Sequence, residues 1–281
     1  MEPDRTQRPG WHPARWLPFG LRVEARRLAR GLRRLPARSR AAVERRPVAG
    51  FGHRLAAAES PLERVPGAQP PALQRGKEIN VALACRAIDG VVLAPGAVFS
   101  YHRLVGRPSR LRGFRVGLEL QDSRESAGVG GGCCQVSNML FQLAVCAGLD
   151  IVERHRHGFD LFPDQQRSVP FGFGATVFYN YRDLRFANPL QCALRIALAL
   201  EDRSAADRAD AAAGRDWVLV GAIAAAADCG RRVEVFERDQ RFFVQHGRRM
   251  RENRICRRIT DRRGRIIEDR ELAHNRCRVL Y

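Results

Sequence analysis

The junction at residues 128–148, GVGGGCCQVSNMLFQLAVCAG, constrains this chain more than any other stretch. Its glycine run has no side chains to pack and the highest backbone freedom to lose, so it predicts a loop. Directly after it, Val136, Met139, Leu140, Leu143 and Ala147 recur at the spacing of one helix face. Gly148 stands where a left-handed C-terminal cap belongs. A loop therefore delivers the chain into an amphipathic helix over 135–147, with Cys133 and Cys134 at its start. At ~100° per residue, Cys133 falls about 60° from the centre of the apolar stripe and Cys134 about 160° from it. Cys133 should point inward and Cys134 away.

Around this helix the periodicity predicts a second helix over 74–88, with Ile79, Leu83 and Ile88 inward. Two short strands should flank the Pro95-Gly96 turn, and another strand should cover 114–120. Strands are also expected at 151–157, 175–181 and 190–199, followed by an exposed Ala/Asp/Arg loop over 201–215. VEVFERDQRFFVQ and ICRRITDRRGRIIEDRE each read as a hairpin. This order predicts an α+β fold. An antiparallel sheet packs on a central helix that starts at a Gly-rich loop and Cys, with a β-rich C-terminal part. Three regions are expected: a basic, partly disordered N-terminal region over 1–72 without strand-like runs, a core domain over 73–200, and a β-rich extension over 201–281.

The net charge of +19 limits the partners. Lys77 is the single lysine, so arginine carries the excess, and the first 75 residues hold sixteen arginines against six acidic residues. Leu21, Ala25, Leu28, Leu32 and Leu35 recur at helical spacing among those arginines. Residues 14–46 therefore suit an anionic membrane surface. Nucleic acid ranks last, because aromatics are only 7% and no base-reading motif accompanies the arginines. The N-terminus lacks the basic-then-apolar pattern of a secretory signal, and no apolar run reaches the roughly 18 residues of a spanning helix. The chain reads as cytoplasmic, peripheral at the inner face of the membrane. Its eight cysteines show no C-x-x-C spacing, and the adjacent Cys133 and Cys134 are poorly placed for a mutual disulfide. Eight free thiols are expected in that compartment.

Cys134 is the candidate nucleophile. A thiol in the first turn of a helix feels the positive end of the dipole, which lowers its pKa. Gly130, Gly131 and Gly132 before it would let a substrate backbone approach, and the turn could offer N–H groups to an oxyanion. A base could come from His155 or His157, which share a strand face with Glu153. Asp183 or Asn180 could orient the imidazole. The competing chemistry is zinc held by the His-x-His pair and a cysteine, for which a fourth ligand at local spacing is missing. No metal or other cofactor is expected.

The run GVGGGCCQVSNMLFQLAVCAGLDIVERHRHG resembles the signature of the VanW family, a Gly-Gly-Gly-x-Cys-Gln-x-Ser core followed by Glu-Arg-His-x-His. The likeness extends upstream to GKEINVALACRAIDGVVLAPGAVFSYHRLVGRP and downstream to GFGATVFYNYRDLRFAN, and more weakly to the C-terminal NRCRVLY. It places the family's cysteine at Cys134, its glutamine at Gln135 and its serine at Ser137, and it favours His157 over His155. Gly158 and Gly174 stand where many relatives have Ser and Asp, and Gly174 leaves Asp183 as the better acid. The resemblance implies cell-envelope and glycopeptide-resistance biology. On that basis Cys134, His157 and Asp183 would carry thiol-dependent acyl transfer on a cell-wall peptide or precursor. Gln135 would sit near the oxyanion, and Gly130, Gly131, Gly132 and Ser137 would line the substrate. The alternative is a non-catalytic module that binds an envelope precursor or partner through the same cleft.

Overall fold

The computed structural model describes residues 21, 25, 50–63, 70–121, 124–156, 159–160, 169–206 and 216–280. In chain order the first elements are β1 (His53–Pro61), α1 (Pro71–Ile88), β2 (Val92–Leu93), β3 (Val98–Ser100) and α2 (Tyr101–Val105). Then come β4 (Val116–Gln121), β5 (Arg124–Val129), α3 (Cys133–Cys146), β6 (Asp150–Glu153), β7 (Phe159–Asp160) and β8 (Arg185–Ala187). The chain closes with β9 (Leu194–Asp202), β10 (Trp217–Ala225), β11 (Arg231–Gln245), β12 (Arg248–Asp261) and β13 (Ile266–Val279).

Helix α3 holds the centre, touching α1, β1, β6, β10 and β11. Gly132 takes φ +99° at its N-cap and Gly148 takes φ +76° just past its end, conformations that a Cβ would strain. Val136, Leu140 and Ala144 are fully buried, and Met139 and Leu143 nearly so. Burial of each of the larger chains contributes about 1.5–3 kcal/mol. Met139 and Leu143 press onto β10 at Gly221, where an added Cβ would lie 2.8 Å from Met139 Sδ and 2.9 Å from Leu143 Cδ1. The cysteines take the sides that helical phase assigns them: Cys133 is buried and Cys134 is only partly so.

Among the described residues the strands form four sheets, in the orders β1-β10-β9-β2, β3-β8-β6, β4-β5 and β11-β12-β13-β7. All pairings are antiparallel except β13 with β7. The fold is α+β with a β-rich C-terminal part. That part buries charge as well as apolar surface. Arg257 is fully buried, donating to both carboxylate oxygens of Glu268 and to the Leu149 carbonyl oxygen at the end of α3. Among the described residues no helix is long and apolar enough to cross a membrane.

Several expectations are corrected. Residues 53–61, expected to lie in a strandless region, form β1 and pair with β10 from His53 to Pro61. Their alanine-rich sequence carries little strand propensity, and the pairing supplies it. β10 lies between β1 and β9 in their sheet. Residues 175–181 are not a strand: 173–177 run extended without a ladder, and 178–182 form a turn closed by a Phe178–Arg182 bridge. Gly128 and Val129 belong to β5, so the loop shrinks to Gly130–Gly132. VEVFERDQRFFVQ is one strand: its polar Arg238-Asp239-Gln240 forms a bulge, with Asp239 at φ 54°, where Arg238 pairs Arg254 and Arg241 pairs Glu252. On α1 the buried stripe includes Asn80, Val81, Ala84, Cys85 and Ile88, leaving Ile79 exposed.

Candidate functional site at the start of the central helix

The glycine loop meets the protein's own backbone. A Cβ on Gly131 would lie 2.2 Å from the Gly117 carbonyl in β4, and one on Gly76 of α1 would lie 1.8 Å from the Val116 carbonyl oxygen. Helix α1, strand β4 and the loop thus stack with nothing but backbone between them. Asn80 locks the stack: its Nδ2 donates to Arg115 O and Gly131 O, both at 2.9 Å, and its Oδ1 accepts from Arg115 N–H. The Cys133 and Gln135 amides at the helix start donate to Gly130 O and Gly132 O. Those N–H groups are engaged within the loop rather than offered to an oxyanion.

The polar face of α3 grips the segment 173–177. Ser137 is fully buried and donates to Ala175 O at 2.6 Å, with Cys134 O 3.1 Å away. Asn138 Oδ1 accepts from Ala175 N–H at 2.8 Å, and Gln142 Nε2 donates to Phe173 O at 3.1 Å. From the far side, Arg154 donates to Gly174 O and Gly172 O. These side chains, with one backbone bond from Thr176 N–H to His155 O at 2.8 Å, do what a full strand ladder would do elsewhere.

Cys134 belongs to the same grip, its sulfur 3.7 Å from Val177 O. Burial pushes its thiol pKa above the ordinary value, Glu119 adds in the same direction, and the Val177 backbone and Arg182 only partly oppose them. Desolvation is the largest influence on this thiol. The thiol is protonated at neutral pH. Burial pushes Cys133 further, to about 12.

Beyond Val177 the chain turns at 178–182, with Asn180 at φ 51°. The Asn180 N–H donates to Nδ1 of His102, 3.1 Å away, so a neutral His102 carries its proton on Nε2. Asp183, fully buried, accepts from Ser100 Oγ at 2.6 Å and from the His102 backbone N–H at 3.0 Å; its Oδ1 lies 3.8 Å from His102 Nδ1. Glu153 Oε1 accepts from the Asp183 N–H and lies 3.0 Å from His155 Nε2. Two histidines, two carboxylates and a serine thus converge under one turn. Among the described residues no trio of His, Cys, Asp or Glu is arranged to hold a metal.

Residues 76–207 match the family described as VanW like protein. The vancomycin B-type resistance protein VanW of Enterococcus faecalis is 31% identical over 129 residues, 46% of this chain and 47% of that protein. The uncharacterized protein YoaR of Bacillus subtilis is 38% identical over 117 residues, 41% of this chain and 36% of that protein. The likeness to the VanW-like family thus spans residues 76–207, just under half of the chain. The chain covers less than half the length of either curated relative. No solved structure matches it.

Within the VanW-like region the expected site residues take different places. Cys134 and Ser137 meet at the extended segment, and His155 and Asp183 meet through Glu153. Gln135 turns elsewhere, donating to Ser60 Oγ and Pro61 O of β1, both at 2.8 Å. His157 lies outside the described residues. Among those that are described, no histidine acts on the Cys134 sulfur. Gly174 packs on Asn138, whose Oδ1 would lie 2.6 Å from an added Cβ. The sequence reading missed His102. Its local signal was weak, a single histidine in the YHRLV stretch after a short strand, and only the turn from 178 to 183 makes it a partner.

Proposed function

We propose that this chain is an envelope-associated VanW-like binding module whose contact surface is the aromatic turn Phe178–Arg182. One observation carries the reading: the motif side chains hold backbone. Ser137, Asn138 and Gln142 bond the segment before the turn, Cys134 lies against Val177 O, and His102 accepts from Asn180 inside it. The turn so held presents rings. Phe178 is 41% exposed and meets Tyr181 edge-on at 6.1 Å, while the Arg182 guanidinium lies 5.4 Å from the Tyr181 ring. Aromatic faces beside a cation suit a ligand that joins apolar or sugar surface to a carboxylate, as a cell-wall peptide or precursor does. The protonated Cys134 thiol argues against acyl transfer as the resting chemistry. The envelope assignment draws on the resistance named for the enterococcal relative.

The test is titration of the full chain with a synthetic muropeptide bearing a free C-terminal carboxylate. Binding should weaken at least tenfold in Phe178→Ala/Tyr181→Ala and persist in Cys134→Ser. Cleavage of the muropeptide, or a covalent adduct on Cys134 seen by mass spectrometry, would replace this reading with the enzyme. Residues 14–46 supply the second contact in this proposal, an anionic membrane surface. Leu21 and Ala25, the described residues of that stretch, are helical and exposed. Binding to acidic lipid vesicles should fall as salt rises, because exposed charges are screened, and should vanish when residues 1–46 are removed, a truncation that spares β1 and its pairing with β10. Equal binding by the truncated chain would remove this contact.

A further inference from the structure

The thiols of Cys192 and Cys229 lie 3.2 Å apart, 37 residues distant in sequence, and nothing in the site above uses them. Both are partly exposed. They flank the end of the β9–β10 ladder, beyond the Ala226 N–H to Ala193 O bond of 2.9 Å: Cys192 is one residue past Ala193 and Cys229 three past Ala226. Each loop is held in place. Asn188, fully buried, donates to Leu93 O and Cys192 O at 2.9 Å and accepts from Leu190 N–H, fixing the 188–192 turn. Asp228 accepts from Gly230 N–H at 2.8 Å and from Arg262 at 2.6 Å, fixing the turn that carries Cys229. Both thiols also share one acceptor region, with Ala227 O 3.5 Å from Cys229 Sγ and 4.0 Å from Cys192 Sγ.

We propose that Cys192 and Cys229 are a reversible redox site that closes to a disulfide by exchange with small-molecule disulfides of the glutathione class. A bonded pair sits at about 2.05 Å, so the sulfurs need to approach by only about 1.2 Å. The atoms balance in two exchanges. Cys192 thiolate attacks one sulfur of the oxidant, forming a mixed disulfide and releasing one small thiolate. Cys229 then loses its proton and attacks the Cys192 sulfur, releasing the second small thiolate. Two protein thiols are oxidised, one small disulfide is reduced to two thiols, and both protein protons end on those products. The bond staples the end of the β9–β10 pair. It also ties together two loops that line one surface cleft, Leu190 from the first and Cys229 from the second, together with Arg54, Cys146 and Ile259.

The experiment incubates the full chain in buffer dominated by oxidised glutathione, then blocks free thiols and maps the digest by mass spectrometry. The expected product lacks two hydrogens and yields one linked peptide joining Cys192 to Cys229. Its melting temperature should exceed that of the reduced chain by about 5 °C or more. Dithiothreitol should reverse both changes. Cys192→Ser and Cys229→Ser should each abolish the linked peptide and the gain, while Cys146→Ser leaves both intact. Failure to form the link, or linkage of either cysteine to Cys146 instead, overturns the proposal. The map of the unsubstituted chain decides it even where a serine variant folds poorly.

Discussion

Cys133 and Cys134 are neighbours in sequence at the start of α3; Cys192 and Cys229 are neighbours in space at the end of the β9–β10 ladder. The first pair parts company because a helix rotates successive side chains by about 100°. One sulfur enters the core and the other meets Val177 O, where both lose the water that would ionise them. The second pair converges because an antiparallel ladder returns the chain beside itself and brings the sulfurs to 3.2 Å; both residues are partly exposed, while burial and the neighbouring Cys192 push the Cys229 thiol up to about 11. Reactivity follows water and geometry more closely than it follows a conspicuous motif. A cysteine in a helix-start motif can be a packing residue, while an unremarkable pair elsewhere carries the accessible sulfur chemistry.

The sharpest way to break this comparison is to perturb the glycine stack beside the first pair. Gly131→Ala pushes a Cβ to within 2.2 Å of the Gly117 backbone. With backbone on both sides unable to yield cheaply, urea denaturation should show a loss of about 3 kcal/mol or more. A loss below ~1 kcal/mol would mean that the loop is looser than the stack implies and has room for a substrate.

Next in size is the grip of α3 on the extended segment. Asn138→Ala leaves the Ala175 N–H without the acceptor it has at 2.8 Å, and should cost about 1–3 kcal/mol in the same assay. No measurable loss would show that water replaces the bond, and the motif would then be free to serve ligands.

Thiol labelling compares the two pairs directly. With the chain folded and reduced at pH 7, iodoacetamide should modify Cys192 at least tenfold faster than Cys134, read by peptide mapping. Because burial raises the Cys134 pKa, its labelling should accelerate as pH rises past the ordinary thiol value of 9.0. Stability should fall over the same window. The unfolded chain gives up thiol protons near 9, while folded Cys85 and Cys133 hold theirs to about 12, so the unfolded state binds fewer protons between those values. Fast labelling of Cys134 at pH 7 would restore the nucleophile.

The smallest effect should be Cys134→Ala. A thiol is a weak donor and this one sits 3.7 Å from its acceptor, so the loss should stay below about 1 kcal/mol. A cost matching Asn138→Ala would make the sulfur as important to the grip as the amide.

Much of this was legible in the residues. The apolar spacing of α3, the Gly148 cap and the opposite phases of the two cysteines all appear in the structure, because a helix couples sequence spacing directly to facing. The candidate site was legible only as a list of polar residues. Gln135 was expected near an oxyanion and holds Ser60 and Pro61; Gly131 was expected to admit a substrate and admits Gly117. In each case the residue type was informative about close approach or hydrogen bonding, and silent about whose atoms would come close.

That division has one physical cause. Local geometry is set by neighbours along the chain: where glycine permits a positive φ and which side of a helix is apolar. These the amino-acid order determined by itself. The partners come from far along the chain, and only the packed structure decides them. Strand β1 exists because β10 lies beside it, residues 173–177 stay extended because α3 and Arg154 bond them, and His102 joins Asp183 because the 178–182 turn brings them together. Cys192 meets Cys229 for the same reason: antiparallel pairing of β9 with β10 closes a loop whose ends share no local signal.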